Sequence, residues 1–298
     1  DQMYQKDFND LVEEHINKNA NISIATLPVN AKDAPEFGIL KTNSENEIIS
    51  FIEKPNASLL PEWESEVSDQ MKNEGKNYLA SMGIYVFNKD FLVDVMNNPE
   101  TKDFGKEIIP QALGNKKMLS YQYEGYWTDI GNIDSFFEAN IGLTDDIPKF
   151  NLFDNDNKIF TRPRLLPPTK FKNTHIEKSL VPEGCIINAK EVKNSVIGIR
   201  ARIGEGTVIH NCYIMGNDHY QSMHEIEDNI ENNIILKGIG ENCYINYAIV
   251  DKNVRIGNNV HINGGKEFPD VSHQLYAIKD GIVVIKKGVT IPDNFRIN

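Results

Sequence analysis

The sequence predicts an α/β layered domain followed by a parallel β-helix. Up to about residue 145, segments with the apolar spacing of helices alternate with segments typical of strands. Beyond residue 172, aliphatic residues recur at every sixth position, a period that neither a helix nor a simple strand produces. Residues 146–172 contain several prolines, which oppose regular structure. We therefore predict a domain at 1–145, a linker at 146–172 and a second domain at 173–298.

The first domain is predicted to contain both helices and strands. Phe8, Leu11, Val12 and Ile16 recur at helical spacing and predict an opening helix with one apolar face. Further elements are predicted as strands at 22–29, 47–52 and 79–87, and as helices at 89–98 and 132–144. The stretch from 55 to 77 is polar and poorly periodic, so a long surface excursion is expected there.

The second domain is predicted from three runs that share the six-residue period. They are Leu180, Ile186 and Val192; Ile197, Ile203, Ile209 and Met215; and Tyr244, Val250, Ile256 and Ile262. In a β-helix such residues point inward and stack from coil to coil. Residues 217–237 interrupt the period and are predicted to form a loop outside the stack.

Composition limits the classes of partner. Lys and Arg number 31 against 43 Asp and Glu, which gives a formal net charge of −12. This acidic balance argues against a nucleic acid or an anionic membrane as the main partner, and no apolar run is long enough to span a membrane. The three cysteines, Cys185, Cys212 and Cys243, form no metal or disulfide pattern, so they are interpreted as buried side chains in a reducing cytoplasm.

Several motifs carry a resemblance to a known family. They are FIEKP at 51–55, LASMGIYVF at 79–87, DFGKEIIP at 103–110, YWTDIG at 126–131, MGNDHY at 215–220 and VDKNVRIG at 250–257. With these motifs the chain resembles the glucose-1-phosphate adenylyltransferases (ADP-glucose pyrophosphorylases) of the bacterial and plant type. The resemblance covers most of the chain, and the second motif, together with the six-residue repeat, is its most specific part.

The resemblance implies a fold and a reaction. The fold is a Rossmann-like α/β nucleotide-diphospho-sugar transferase domain, incomplete at its N-terminus, followed by a left-handed parallel β-helix of hexapeptide repeats. The reaction joins ATP and glucose 1-phosphate to give ADP-glucose and diphosphate, with Mg²⁺, in cytoplasmic glucan synthesis. The family's glycine-rich phosphate loop and catalytic arginine would precede Asp1, so the chain as given is expected to be inactive alone. A non-catalytic regulatory or assembly subunit is the alternative.

The resemblance also implies site residues in the first domain. Asp1 and Asp129 are expected to bind the metal and to meet at strand ends, since hard cations prefer carboxylates. The glucose 1-phosphate contacts are expected from Gly38, Glu53, Lys54 and Ser81, with Asp103, Lys106 and Trp127 in support. Taken singly, Gly38 is interpreted as a strand bulge and Gly83 as a site of close backbone packing.

The second domain is expected to bind an anionic metabolite or phosphate effector and to assemble the chain as a homotetramer. By resemblance, the effector residues are Arg200, Lys252, Lys286 and Lys287. The alternative for each of these residues is a solvent-exposed position at a coil corner with no role in effector binding. A hexapeptide-repeat acyltransferase is a further alternative, because such enzymes use a histidine as general base. Its candidates are His210, His219, His224, His261 and His273, which form no recognisable constellation in the sequence.

Overall fold

The computed structural model describes residues 2–97 and 103–297, and these residues form two compact units. Residues 5–125 form the first, which we call the mixed-sheet unit. Residues 2–4 and 126–297 form the second, which we call the β-helix unit. Strand β1 (Gln2–Tyr4) opens the described chain and belongs to the β-helix unit. No helix within 2–97 or 103–297 is both long and apolar enough to cross a bilayer.

A five-stranded sheet forms the centre of the mixed-sheet unit. Its strand order is β4-β3-β5-β2-β6, and only the β2–β6 pair is parallel. The strands are β2 (Ile22–Val29), β3 (Gly38–Thr42), β4 (Ile48–Glu53), β5 (Tyr78–Phe87) and β6 (Met118–Gln122). The helices are α1 (Asn9–Asn17), α2 (Asp69–Asn73), α3 (Lys89–Met96) and α4 (Ile109–Ala112).

The sheet buries one apolar cluster on each side. Ile24, Leu40 and Leu79 belong to one cluster, and Ile39 and Ala80 belong to the other. Because successive side chains of a strand alternate between faces, neighbours such as Ile39 and Leu40 supply both clusters. The predicted strands at 22–29, 47–52 and 79–87 are confirmed, whereas β3 and β6 were not predicted.

The opening helix α1 turns a different face inward from the one predicted. Leu11 is buried as expected, but Phe8, Val12 and Ile16 are exposed. His15, one helical turn after Leu11, also lies on the inward face. It is buried because Ser23 and Asn88 hydrogen-bond both of its ring nitrogens. A satisfied polar ring can be buried in place of an aliphatic residue, which apolar periodicity does not predict.

After β1, the β-helix unit continues with β7 (Trp127–Asp129), which pairs antiparallel with β1, and with α5 (Ile133–Ile141). Its first stacked strands are β8 (Lys170–Phe171), β9 (His175–Glu177), β10 (Ile186–Ile187), β11 (Glu191–Lys193), β12 (Val196–Ile197), β13 (Arg202–Ile203) and β14 (Val208–Ile214). After α6 (Met223–Glu231) follow β15 (Gly238–Ile239), β16 (Tyr244–Val250), β17 (Arg255–Ile256) and β18 (His261–Asn263). The chain ends with β19 (Val271–Ser272), β20 (Tyr276–Lys279), β21 (Ile282–Ile285), β22 (Thr290–Ile291) and β23 (Arg296–Ile297).

Parallel ladders join corresponding strands of successive coils. One ladder runs β8-β10-β13-β15-β17-β22, and another runs β9-β11-β14-β16. The predicted parallel β-helix is thus confirmed. The predicted loop at 217–237 does leave the stack, but it contains α6, which Ser222 and Glu225 begin with a reciprocal capping box. A second excursion, residues 264–281 with β19 and β20, was not predicted.

The six-residue register holds only in part. Ile203, Ile209 and Ile262 point inward as predicted, but Ile186 is exposed and Met215 and Tyr244 are half-buried. The buried positions are one residue away, at Ile187, Ile214 and Ile245. Val192 pairs with Ile209, seventeen residues on, and with Ile176, sixteen residues back, so the coils are shorter than three full hexads. Each residue by which a coil falls short of three full hexads moves the next inward-pointing position by one residue along the chain.

Candidate functional site

The ends of β3 and β4 place Gly38 and Glu53 opposite each other. They are paired residues of the antiparallel ladder. A Cβ atom on Gly38 would lie 2.8 Å from Glu53 Oε2 and 2.7 Å from the Phe51 ring, which is closer than real contacts allow. The requirement for glycine at Gly38 is therefore close approach, and the bulge interpretation of this residue is wrong.

Lys54 leaves the sheet directly after this pair. Its φ is +46°, in the left-handed region, and its backbone N–H donates to Phe37 O at 3.0 Å. The next residue, Pro55, is buried and cannot continue a ladder. The side chain of Lys54 is exposed and makes no hydrogen bond or ion pair with the residues that the structure describes. Its ammonium group is therefore available for an anion near Glu53.

The bulge of the sheet lies on β5. Thr26 pairs with Ser81 and Ile24 pairs with Tyr85, so one residue of β2 faces three of β5. Gly83, at the centre of these three, has a φ of +71°, which glycine adopts without strain. Its N–H donates to Ser81 Oγ at 3.3 Å. The bulge, which the sequence analysis did not assign to Gly83, brings Ser81 and Tyr85 to one side of the strand.

Tyr85 is a site residue that sequence reasoning missed. Its hydroxyl lies 3.5 Å from Ser81 Oγ, and its ring stacks on Phe104 at 5.5 Å between centroids. Burial raises the pKa of Tyr85, Ser81 opposes the shift, and the negative charges of Glu53 and Asp103 add to it. The phenol thus lies near both carboxylates. Its position two residues after the glycine of a strand motif was the available signal.

Asp103 holds the π-helical turn Phe104–Ile108 in place. Its Oδ1 accepts the N–H of Lys106 at 2.9 Å, and its own N–H donates to Glu107 Oε2. A Cβ on Gly105 would lie 3.2 Å from Glu53 Oε2 and 3.5 Å from Asp103 Oδ1. Glu53 and Asp103 therefore approach each other over Gly105, and the supporting role of Asp103 stays a prediction.

The mixed-sheet unit thus contains one polar cluster, which we call the Glu53 cluster. Its members are Gly38, Glu53, Lys54, Ser81, Tyr85, Asp103 and Gly105. The cluster combines hydroxyl donors, carboxylate acceptors and a free ammonium group, which is the set needed to bind a polyol that carries an anionic group. Lys106 contributes its backbone to the turn, and its side chain is exposed.

Asp129 lies in the β-helix unit at the end of β7. Its Oδ1 accepts the N–H of Gly131 at 3.0 Å, and the residue is half-buried. Among the described residues, nothing hydrogen-bonds to Oδ2, so this oxygen can still bind a cation. The register pairs Gln2 with Asp129 and Tyr4 with Trp127. Asp1 lies outside the described residues, so its meeting with Asp129 stays a prediction.

The four predicted effector cations fall into different surroundings. The parallel ladder aligns Val250 with Ile285, and two residues further Lys252 and Lys287 occupy matching corners of adjacent coils. Lys252 Nζ lies 3.1 Å from Asp218 Oδ1. Asn253 lowers the pKa of Asp218 most, Lys252 contributes next, and the charge of Lys287 adds a smaller part. Lys252 and Lys287 therefore share one acidic neighbour.

The other two predicted cations point elsewhere. The guanidinium of Arg200 lies 5.5 Å from the centroid of the Tyr220 ring. Lys286 Nζ donates to the carbonyl oxygen of His273. The structure thus groups Lys252 with Lys287 and places Arg200 and Lys286 against different neighbours.

The structure gives the neighbours of two candidate histidines and of all three cysteines of the β-helix unit. His210 Nε2 lies 2.9 Å from Glu191 Oε1, a pair that the sequence did not reveal, and His261 stacks on Tyr244. All three cysteines are buried and free. Burial raises the pKa of Cys212 to about 12 and raises those of Cys185 and Cys243. The interpretation of the cysteines as inert core residues agrees with these shifts.

Comparison with protein-family models gives two matches, one for each predicted domain. Residues 1–146 match the nucleotidyl transferase model. Residues 164–295 match the model described as the GLGC left-handed parallel beta-helix domain. The second match supplies the handedness that the six-residue period leaves open. The chain therefore carries a nucleotidyl transferase domain followed by a left-handed parallel β-helix domain of the GLGC type.

Proposed function

We propose that the protein is a glucose-1-phosphate adenylyltransferase, which converts ATP and glucose 1-phosphate into ADP-glucose and diphosphate for glucan synthesis. The observation that carries the proposal is the presence of a nucleotidyl transferase domain and a GLGC-type β-helix domain in one chain. The motifs 79–87 and 126–131 resemble this family, and glucose 1-phosphate and ATP are proposed as substrates on that resemblance.

The Glu53 cluster supports binding of a sugar phosphate. Glu53 can accept hydrogen bonds from sugar hydroxyls, and Gly38 leaves room for them at the sheet edge. Lys54 supplies a positive charge for the phosphate. The hydroxyls of Ser81 and Tyr85 lie next to each other and can donate to the same ligand. Since these contacts hold the ligand before and during the reaction, they are expected to affect mainly its binding.

The chemistry of Asp129 fits a Mg²⁺ ligand. One carboxylate oxygen is fixed by the N–H of Gly131, and the other accepts no hydrogen bond from the described residues. No group of three His, Cys, Asp or Glu within 2–97 and 103–297 is arranged to hold a metal. Mg²⁺ is usually bound through one or two carboxylates together with substrate phosphates. Asp129, with Asp1, would hold the ion, which neutralises charge on the phosphates when bound.

The remaining parts of the proposal rest on the resemblance and on local chemistry. Lys252 and Lys287 are proposed to bind an anionic metabolite or phosphate, because two adjacent coils present their cations at one corner. A homotetramer is proposed as the assembly. A reducing cytoplasm is proposed as the compartment, and the three free thiols support it.

The test is turnover of glucose 1-phosphate with each nucleoside triphosphate by the product of the complete reading frame. Diphosphate release and ADP-glucose formation with ATP are expected. A preference for UTP or dTTP would support nucleotidyl transfer but would show that the base of the nucleotide substrate is not adenine. Tight binding of glucose 1-phosphate with no diphosphate release from any triphosphate would replace the proposal by the regulatory-subunit alternative.

A further inference from the structure

A cationic cleft lies in the β-helix unit between the loop at 217–237, which we call the first excursion, and the strands β10 and β13. Arg200, Arg202 and Lys237 line it, together with Asn217, Tyr220 and Ile226. The cleft is small, with a volume of about 60 Å³, and is partly open to solvent, so it has room for a small anionic group. No carboxylate is among its described lining residues, although acidic residues outnumber basic ones in the chain. The distribution of charge at this cleft is therefore opposite to that of the whole protein.

The three cations are half-buried and have no acidic partner in ion-pair contact among the described residues. Glu225 is an acidic residue that interacts electrostatically with Lys237. Contacts with Ser222 in the capping box lower the pKa of Glu225 most, and Lys237 and Arg255 add smaller electrostatic contributions. Glu225 is thus engaged at the start of α6. Three neighbouring cations without a contact ion pair repel each other, and a bound anion would reduce this repulsion.

The backbone holds the cleft in a defined shape. Arg200 has a φ of +58°, and Asn217 fixes this corner because its side-chain amide donates to Arg200 O at 2.9 Å. Tyr220, whose ring faces the Arg200 guanidinium, donates its hydroxyl to Gly184 O at 2.9 Å. A Cβ on Gly184 would lie only 2.4 Å from the Tyr220 hydroxyl oxygen. These contacts order Arg200 and Tyr220 without any ligand, so binding needs little further ordering.

We propose that this cleft binds a small phosphate monoester. The phosphate group contacts Arg200, Arg202 and Lys237, because guanidinium groups and an ammonium group form charge-assisted hydrogen bonds with phosphate oxygens. The carbon part of the ligand packs on Tyr220 and Ile226. The site differs from the Lys252–Lys287 corner, where Asp218 already supplies a negative charge. The inference goes beyond nucleotidyl transfer and holds whether or not the chain performs that reaction.

The first test is local and needs no variant. Lysines are labelled with an amine-reactive reagent in the presence of inorganic phosphate, glycerol phosphate or glycerol, and each site is quantified by mass spectrometry. Glycerol phosphate and phosphate are expected to protect Lys237, glycerol is not, and the exposed Lys190 of the same unit is the reference. Protection of Lys252 and Lys287 without Lys237, or equal protection of Lys237 and Lys190, would overturn the proposal.

The second test measures affinity by calorimetric titration with glycerol phosphate. The variant Arg202→Gln/Lys237→Gln is expected to lose at least about tenfold in affinity, because two charge-assisted hydrogen bonds are removed. Lys190→Gln, which removes a positive charge away from the cleft, is expected to bind like the parent. Equal losses in both variants would show general electrostatic attraction and overturn the site. So would parent-like affinity in the double variant.

Discussion

The mixed-sheet unit and the β-helix unit distribute regular and irregular backbone differently. In the β-helix unit, Ile203, Ile209 and Ile262 repeat one buried environment from coil to coil. In the mixed-sheet unit, the Gly83 bulge and the π-helical turn at Phe104–Ile108 interrupt regular structure, and both adjoin the Glu53 cluster. Repetition gives the β-helix its core, while the irregular backbone brings polar groups together in the sheet.

This comparison separates two kinds of position. A residue of the coil stack is expected to affect stability through packing, whereas a residue at an interruption is expected to affect ligand binding. Within the β-helix unit the same division recurs on a smaller scale. The cations proposed to bind anions, at the Lys252–Lys287 corner and in the cleft, are partly or fully exposed, whereas the stacked aliphatic residues are buried.

Asp129→Asn is expected to have the largest effect. The amide oxygen can still accept the N–H of Gly131, so the local turn is kept, but the charge that would hold a cation is lost. We expect kcat to fall about 10²–10³-fold, the range found when one electrostatic stabiliser is removed. Steady-state rates with ATP and glucose 1-phosphate measure this. Asp145→Asn, a charge loss beyond α5, is the control, and an equal fall there would contradict the role of Asp129.

Ile209→Ala tests the repetitive core. Ile209 is fully buried between coils, and its truncation leaves a cavity that neighbouring coils fill only partly. We expect a loss of about 2–5 kcal/mol in unfolding free energy. Ile186→Ala is the matched control, because this residue is exposed although it follows the six-residue period. Denaturant unfolding of both proteins decides the point: equal losses would mean that Ile186 is a core position.

The two units also differ in how far their fold could be predicted. The six-residue period identified the β-helix because each coil repeats the same aliphatic requirement. It misplaced Ile186, Met215 and Tyr244 because corners shorten some coils by one residue, which alternation within a strand does not reveal. In the mixed-sheet unit, β2 was predicted because Ile22, Ile24 and Leu27 make the segment apolar enough for a strand. Strand β3 was missed because it is short and begins at a glycine.

The candidate site was predictable only through motifs. Glu53, Ser81 and Asp103 are far apart in sequence, and no periodicity links them, so residue types alone could not show that they meet. The structure adds Tyr85, whose approach to Ser81 depends on the bulge at Gly83. Arg202 and Lys237 were missed for a similar reason, because the excursion between them brings both to one cleft.

Lys54→Ala and Ser81→Ala sharpen the proposed role of the Glu53 cluster. Both side chains are proposed to hold the sugar phosphate in the ground state and the transition state alike. The KM for glucose 1-phosphate is therefore expected to rise about tenfold, with little change in the KM for ATP. Lys72→Ala, on α2, is the control for loss of a positive charge. A rise confined to the KM for ATP would refute the assignment of these two residues.

Lys252→Ala combined with Lys287→Ala tests the corner where two coils present cations. An effector acts by binding one conformational state more tightly than another, and the coupling for such a site is about 1–3 kcal/mol. The ratio of rates with and without inorganic phosphate or a phosphorylated metabolite is therefore expected to approach one in the double variant. Lys266→Ala, in the second excursion, is the control. An unchanged ratio would show that both lysines are solvent-exposed corner residues that do not bind an effector.

The smallest expected effect concerns Asp218, which faces Lys252 in the folded protein. Hydrogen bonds from Asn253 and Lys252 lower the pKa of Asp218. As the pH falls through the ordinary carboxyl range, Asp218 therefore takes up a proton in the unfolded chain before it does so in the folded chain. The contribution of Asp218 to stability is thus present at neutral pH and is lost as the pH falls through its folded pKa. Asp218→Asn is expected to lower the melting temperature slightly at pH 7, with the difference from the parent shrinking toward pH 3. Asn253→Ala removes the strongest hydrogen-bond partner of Asp218 and should reduce the same pH-dependent part of the stability. A difference in melting temperature between parent and variant that stays constant from pH 7 to pH 3 would contradict the ionic origin of the effect.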